Sequence, residues 1–400
     1  MYVGVLRVLL RAIRTLLLKN SVSGSSAKLL SSEVHTSMRG RSMEVLVHPF
    51  SFREALRHGG AEPTGEITRL TPDDRASLDG ALRRYLKVGG FPEAQEVEDR
   101  DRIPLLKGYV DLMVLRDVVE RHRVTNIEAL RRLQRHLMVN PGSSFSVSKF
   151  YRELKSQSVA VGEDTLYDFL GHLEDAFLVR MVSMHTASER QRMRNPRKAY
   201  PIDPGLIAVY ERAGRENRGR ALETAILLEL ERRGYQAGWV RAETDLEVDF
   251  YAENPVAEPL LIQVSLETTS DFTWDREVRS LEAAATAYPD ARPLLITLDP
   301  TPPSRPLPGQ LEWFSATEWL LEDLQKTGLP DQRGTEDPRR RVAPPRSRPP
   351  ARSVRTRCGY RLGRDSSCRS LREGVRAISS GALPGRLLTR GRYGRCGPGP

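Results

Sequence analysis

The order of elements between residues 218 and 324 constrains this chain more than any other feature. Apolar residues at helical spacing fill 218–233, and strand-like runs follow near Trp239, at 247–252 and at 259–266. A second helical stretch at 274–287, a buried-strand run at 293–298 and a strand–helix ending over 311–324 complete the segment. Helix, three strands, helix, strand is the pattern of a mixed α/β unit, with helices covering a sheet. Two of the strands carry polar groups inside apolar runs. Asp249 sits within Leu246-Glu247-Val248-Asp249-Phe250, and about fourteen residues on come Gln263 and Ser265 in Leu261-Ile262-Gln263-Val264-Ser265.

Four hundred residues suffice for two or three domains, and 39% hydrophobic with 28% charged residues is ordinary for a globular chain. The net charge of +10 is unevenly spread. Residues 331–400 hold 18 Arg, no Lys and 5 acidic residues, which leaves the first 330 mildly acidic. The basic balance therefore does not argue for a nucleic-acid-binding core. All three cysteines, Cys358, Cys368 and Cys396, lie in that tail at no zinc-like spacing, and a cysteine-free core fits a reducing cytoplasm. The tail lacks any hydrophobic period and is expected to be disordered. Arginine without lysine reads as GC-rich DNA in a wrong frame rather than as a nucleic-acid-binding arm. At the other end, Arg7, Arg11 and Arg14 interrupt the apolar residues 1–20 too often for a membrane span. That stretch reads as an amphipathic helix, or as a core helix of a domain cut short on its N-terminal side.

Between these ends, residues 1–55 read as helix, a Gly-Ser-Ser turn, a helix at 27–36, a strand at 43–47 and a helix opened by Ser51. Residues 72–139 are expected to be helical. Residues 144–203 have the pattern of a helix-turn-helix and a hairpin. Ser148 would cap a helix holding Phe150, Tyr151 and Leu154; Gly162 makes the break, and Asp164 would cap a second helix holding Leu166, Phe169, Leu170, Leu173 and Phe177. That second helix carries Glu163, Asp164, Asp168, Glu174 and Asp175 without Lys or Arg, so phosphates repel it from a major groove. The hairpin, with strands at 178–184 and 198–202, offers Arg180, Arg190, Arg192, Arg194, Arg197 and Lys198 for backbone contact. A merely solvated hairpin, or a contact with an ATPase domain, is the competing reading.

Several motifs arrive in a familiar order: Ser23-Gly24-Ser25-Ser26-Ala27-Lys28, Arg39-Gly40-Arg41, Pro49-Phe50-Ser51-Phe52-Arg53-Glu54 and Gly89-Gly90-Phe91-Pro92-Glu93. Tyr109-Val110-Asp111, Leu115-Arg116-Asp117-Val118-Val119-Glu120-Arg121-His122, Asn195-Pro196-Arg197-Lys198 and Asp203-Pro204-Gly205 follow. In this the chain resembles a large archaeal and bacterial family of AAA-type ATPases with a C-terminal domain of unknown function. The resemblance makes Ser25 and Ser26 a nucleotide sensor, and Arg39 and Arg41 phosphate or subunit-interface arginines. ATP is then the cofactor of intact members, which would assemble into homo-oligomers through the ATPase part. This chain has no Gly-x-x-x-x-Gly-Lys-Ser/Thr loop, and residues 1–20 hold no Asp or Glu to anchor the metal, so ATP binding by it alone is not expected.

The 218–324 segment in turn is similar to the restriction-endonuclease-like superfamily, in which a helix Glu, a strand Asp and a Glu-x-Lys pair converge on Mg²⁺ and water. The resemblance assigns Glu223, Asp249, Gln263 and Ser265 to those places, and leaves Glu223 and Asp249 as a weak Mg²⁺ or Mn²⁺ site. Ser265 supplies no cation, and no lysine follows Lys198 before Lys326. Taken apart from the resemblance, Asp249 is a strand-end carboxylate and Glu223 an exposed helix position.

These readings give a multidomain α/β chain: an ATPase remnant (1–60), a helical linker (61–140), a winged helix (141–210), a nuclease-like α/β domain (211–326) and a disordered basic tail (327–400). The expected function is nucleic-acid or partner binding without catalysis, in the cytoplasm and with no membrane partner. A divalent-metal nuclease using Glu223 and Asp249 is the first alternative, and an inactive gene fragment the second.

Overall fold

The computed structural model describes residues 46–322, apart from 66, 187, 212–216 and 244–245. Ser25, Ser26, Arg39, Arg41 and the 327–400 tail therefore lie outside the described residues, as does most of the strand expected at 43–47. Leu46 and Val47 belong to no strand.

Local chemistry sets the first helices. Ser51 and Glu54 form a reciprocal capping box at the start of α1 (Phe52–His58), and Thr71 with Asp74 does the same for α2 (Pro72–Val88), where Pro72 occupies the first turn. The expected continuous helical stretch is broken. Gly89, at φ +81, ends α2, and α3 (Asp99–Met113) runs into a π-helical segment, Val114–Glu120, before α4 (Ile127–Val139).

A short strand β1 (Ser144–Phe145) leads into α5 (Val147–Ser156) and α6 (Glu163–Asp175). Ser146, not Ser148, caps α5, because its hydroxyl reaches the Lys149 N–H. The N-cap of α6 is Gly162 rather than Asp164, and Ser148 instead donates to Glu163. Next come β2 (Val179–Val182), a short α7 (Glu189–Arg194) within the basic loop, and β3 (Arg197–Pro201). The three strands form an antiparallel sheet in the order β1-β3-β2.

After α8 (Gly205–Tyr210), α9 (Arg218–Arg232) opens the second unit of sheet and helices. Strands β4 (Gln236–Glu243), β5 (Leu246–Asn254) and β6 (Ala257–Ser265) are antiparallel neighbours. Helix α10 (Asp271–Ala287) carries the chain over to β7 (Arg292–Thr297), parallel to β6, and β8 (Glu312–Ser315) adds in parallel before α11 (Ala316–Leu321).

Apolar packing ties these pieces together. Phe52, Leu82, Leu222, Ile226, Phe250, Ile262 and Trp319 share one core, so α1, α2 and α9 pack with the five-stranded sheet. Val248, Leu261, Trp274, Leu281 and Leu295 form a second core with α10. A third joins α3, α4, α5, α6, β2 and β3 through Leu106, Leu133, Phe150, Leu170, Val179 and Ala199. The two sheets also meet through the backbone. His185 N–H donates to Trp239 O at 2.8 Å, and Trp239 N–H donates to Ser183 O at 3.1 Å, so the residues after β2 cover the outer edge of β4. Among the described residues no helix is long and apolar enough to cross a membrane.

Candidate functional site

Asp249 lies where β5 parts from β6. Phe250 still pairs with Ile262, whereas Val248 and Glu247 pair only with β4, and the Asp249 carboxylate enters the gap to accept the Val264 N–H at 3.0 Å. It is thus an interior strand residue, not the strand-end carboxylate its sequence context suggests, and it is buried. Glu223 is buried too, contrary to the exposed helix position expected, because β3 and the Pro141–Gly142 turn approach that face of α9. Gly142 has φ +67, and a Cβ there would stand 2.5 Å from Glu223 Oε2, so only glycine permits this approach.

The charges are matched from within. Arg220, one turn earlier on α9, places Nη1 at 3.2 Å from both Glu223 oxygens and donates to Gly142 O at 3.1 Å. Tyr200 on β3 donates its hydroxyl to Glu223 Oε2 at 3.3 Å. Two residues before it, hence on the same face of β3, Lys198 extends its Nζ to 3.7 Å from Asp249 Oδ1 and 3.4 Å from Glu247 Oε2, with the Trp239 ring 5.6 Å away. Burial pushes the Glu223 carboxyl above the usual range and the Asp249 charge adds to the shift, against the pull of Arg220 and Lys198. Burial likewise raises the Tyr200 hydroxyl.

Gln263 and Ser265 are engaged elsewhere. The Gln263 amide donates to Glu277 on α10, whose carboxyl is raised by burial, and Ser265 Oγ donates to Glu267 O at 2.8 Å. Gln263 Oε1 is buried without a hydrogen-bond partner among the described residues. No group of three or more Asp, Glu, His or Cys there is placed to hold a metal ion. A hard divalent cation wants several free carboxylate or carbonyl oxygens. Asp249 already faces the buried Lys198 and Glu223 the partly exposed Arg220, so the donor set does not fit Mg²⁺ or Mn²⁺.

Lys198 requires a correction on two counts. At 4% exposure it is not available to a nucleic-acid backbone. It is also the cation the sequence seemed to withhold from the site, contributed by the three-stranded sheet. Of the other basic-loop residues, Arg190 and Arg192 are exposed on α7; Arg197 is half-buried, 3.8 Å from Glu174; and Arg180 is tied to Glu231 at 3.0 Å. Arg194 belongs to α7 by its backbone. Sequence reasoning passed over Arg220, Tyr200 and Glu277. The i, i+3 spacing of Arg220 and Glu223 was a usable signal, and so was the i, i+2 spacing of Lys198 and Tyr200.

Three of the sequence motifs converge on a different, structural point. Asp203, 1% exposed, accepts the Gly90 N–H at 2.5 Å and the Gly205 N–H at 2.8 Å. Phe50 N–H donates to Gly90 O at 2.7 Å, and the Tyr85 hydroxyl donates to Phe50 O at 2.8 Å. A Cβ on Gly89 would lie 1.8 Å from Asp203 Oδ1, and one on Gly205 would lie 2.3 Å from Val88 O. These glycines thus permit close backbone packing around a buried carboxylate.

Residues 79–217 match a family model described as a domain of unknown function, DUF8612. That stretch includes Lys198, Tyr200 and Asp203 and stops short of Glu223 and Asp249. An uncharacterized protein of Methanocaldococcus jannaschii is 31% identical over 270 residues, which is 66% of this chain and 58% of that protein. An uncharacterized protein of Haemophilus influenzae is 29% identical over 246 residues, 62% of this chain and again 58% of the relative. The chain therefore spans less than two thirds of either relative's length. No solved structure matches it. By these comparisons the chain is similar to distant archaeal and bacterial proteins, and its residues 79–217 match the DUF8612 model.

Proposed function

We propose that this chain is a non-catalytic nucleic-acid- or partner-binding module, made of a winged helix joined to a nuclease-like α/β platform whose metal site is retired. The order of its motifs suggests coupling to an AAA-type ATPase part. One observation carries the loss of catalysis. The two carboxyl groups that would hold a metal are buried and already engaged, Asp249 with Lys198 and Glu223 with Arg220 and Tyr200. Binding the metal would mean displacing the buried Lys198 ammonium as well as the partly exposed Arg220, against which a two-carboxylate site offers little. The same contacts give these acids a structural part, since they join β3 to α9 and β5.

The second reading, a divalent-metal nuclease, has one observation in its favour. Lys198 stands beside Asp249, where a cation could stabilise charge on a phosphorane-like transition state. The test is a cleavage assay with the full chain, single- and double-stranded DNA and RNA, and Mg²⁺ or Mn²⁺, with Asp249→Asn as the matched control. No cutting above the control is expected. Metal-dependent cutting that disappears in a folded Asp249→Asn protein would establish the nuclease and end the retired-site reading.

A further inference from the structure

The helix-turn-helix region is electrically divided. From α4 through α5, residues 127–158 hold Arg131, Arg132, Arg135, Lys149, Arg152 and Lys155 against Glu128 and Glu153. Helix α6 holds five acids and no Lys or Arg. All six cations of the first half are exposed. Arg132 is bound to Glu128 at 2.9 Å, but the other five form no ion pair among the described residues. Arg152 donates to Ser148 O, and Lys155 sits 6.0 Å from the Tyr151 ring.

The two helices lie side by side and antiparallel. Asn126 donates to Ala160 O at 2.7 Å, Arg132 to Gln157 Oε1 at 2.6 Å, and the His136 ring packs at a tilt with its centroid 4.8 Å from that of Phe150. Arg131, Arg132 and Arg135 line a shallow open groove along α4 with Ile127 and Glu128. Such a groove is too open to enclose a small molecule, but an extended polyanion can lie across it. In a folded region that is acidic as a whole, five unpaired exposed cations on one helix pair repel one another. A phosphate backbone relieves that repulsion and releases its own counterions. Arginine forks suit phosphate oxygens in particular.

We propose that the paired helices α4 and α5 form a sequence-independent binding surface for the phosphate backbone of a nucleic-acid duplex, through Arg131, Arg135, Lys149, Arg152 and Lys155, with α6 held away from the bases by its own charge. This deepens the nucleic-acid arm of the proposed function and moves the contact from the α7 loop to the first two helices. Contacts to phosphates position a duplex without reading its sequence, so mixed-sequence duplexes should bind alike.

The experiment uses the full chain with a mixed-sequence DNA duplex, titrated over a range of salt. Its variants are Arg131→Gln/Arg135→Gln/Lys149→Gln and, separately, Arg190→Gln/Arg192→Gln. The arginines of 331–400 contribute equally to every protein and drop out of the comparison. All three substituted sites of the first variant are exposed, so its melting temperature should match wild type. The expected result is that this variant binds on the order of a hundredfold more weakly at about 50 mM salt, with a log–log salt slope shallower by about 2–3. Arginine modification by phenylglyoxal, read by mass spectrometry, should show Arg131 and Arg135 protected by the duplex. If instead the first variant matches wild type and the α7 variant loses binding, the α4–α5 surface is refuted while the proposed function stands. A wild-type protein that ignores duplexes but binds anionic vesicles, or associates with its own copies in a salt-sensitive way, refutes both this surface and the nucleic-acid arm. Neither outcome touches the cleavage assay, which decides catalysis separately.

Discussion

Replacing Lys198 by Met removes one charge from a buried group while keeping most of the side chain's volume against Trp239. At 3.7 Å from Asp249 Oδ1, a unit charge contributes about 4–5 kcal/mol of attraction at an effective dielectric constant of about 20. Burying the ammonium offsets part of this, and the nearby Glu247, half-exposed, adds a smaller, screened share. What the substitution leaves behind matters more than what it removes. Among the described residues Asp249 would remain buried with one hydrogen bond, from the Val264 N–H, and the more distant charge of Arg220. Breaking a buried pair from one side costs about 3–5 kcal/mol, so a loss of about 3 kcal/mol is expected for Lys198→Met. Asp249→Asn should cost less, about 1–2 kcal/mol, since Lys198 keeps Glu247 and the amide oxygen can still accept from Val264. In the double variant both charges are gone, and the two losses should fall short of adding by about 2 kcal/mol. Urea unfolding followed by tryptophan fluorescence and far-UV circular dichroism measures all four proteins. A Lys198→Met protein within about 0.5 kcal/mol of wild type, or strictly additive losses, would refute the reasoning. Added Mg²⁺ supplies a further sign. It should leave wild type unchanged and stabilise Lys198→Met, where it can take the place of the missing cation.

Two other expectations concern the Asp203 junction. Gly89→Ala demands a positive φ and puts a methyl group 1.8 Å from a buried carboxylate oxygen, so it should cost more than about 3 kcal/mol and lower the melting temperature sharply; an unchanged melting curve would contradict it. Burial raises the Asp203 carboxyl to about 6, against the pull of the Gly90 and Gly205 N–H groups. The folded state then holds this proton more tightly than the unfolded chain, where the group titrates near 4. Its contribution is fully present below about pH 4 and is lost as pH rises through about 6, by about 3 kcal/mol at most. Asp203→Asn should abolish that slope, although the variant is weaker throughout because an amide offers one acceptor to two N–H donors. Urea midpoints at several pH values compare the two, and identical pH profiles would refute the assignment.

Much of the architecture was legible because local rules govern it. The Ser51 and Thr71 caps, the 3.6-residue period of α9 and the apolar runs of β5, β6 and β7 each act within a few residues. So did the charge contrast between α5 and α6, which is plain in the letters. Cap positions at Ser146 and Gly162 escaped because Ser, Gly and Asp neighbours offer several near-equivalent starts, and packing chooses among them. The breaks between α2 and α4 were passed over although Gly89-Gly90-Phe91-Pro92 marks the first of them, and that turn is anchored by Asp203, more than a hundred residues on, which accepts the Gly90 N–H.

The candidate site divides along the same line. Sequence alone determined which residues are charged, which lie on helix or strand, and that Glu223, Asp249, Gln263 and Ser265 stand in a recognisable order. Tertiary structure decided which of those charges are buried and what meets them. Lys198 is 51 residues from Asp249 in the chain and belongs to the other sheet, so only the packing of β3 against β5 and α9 brings them together. The strength of an ion pair and the protonation of a carboxylate depend on distance and on the water excluded around them. Both quantities belong to the folded assembly of distant segments, which is why a basic residue of the loop region proved to be the buried counter-charge of the site.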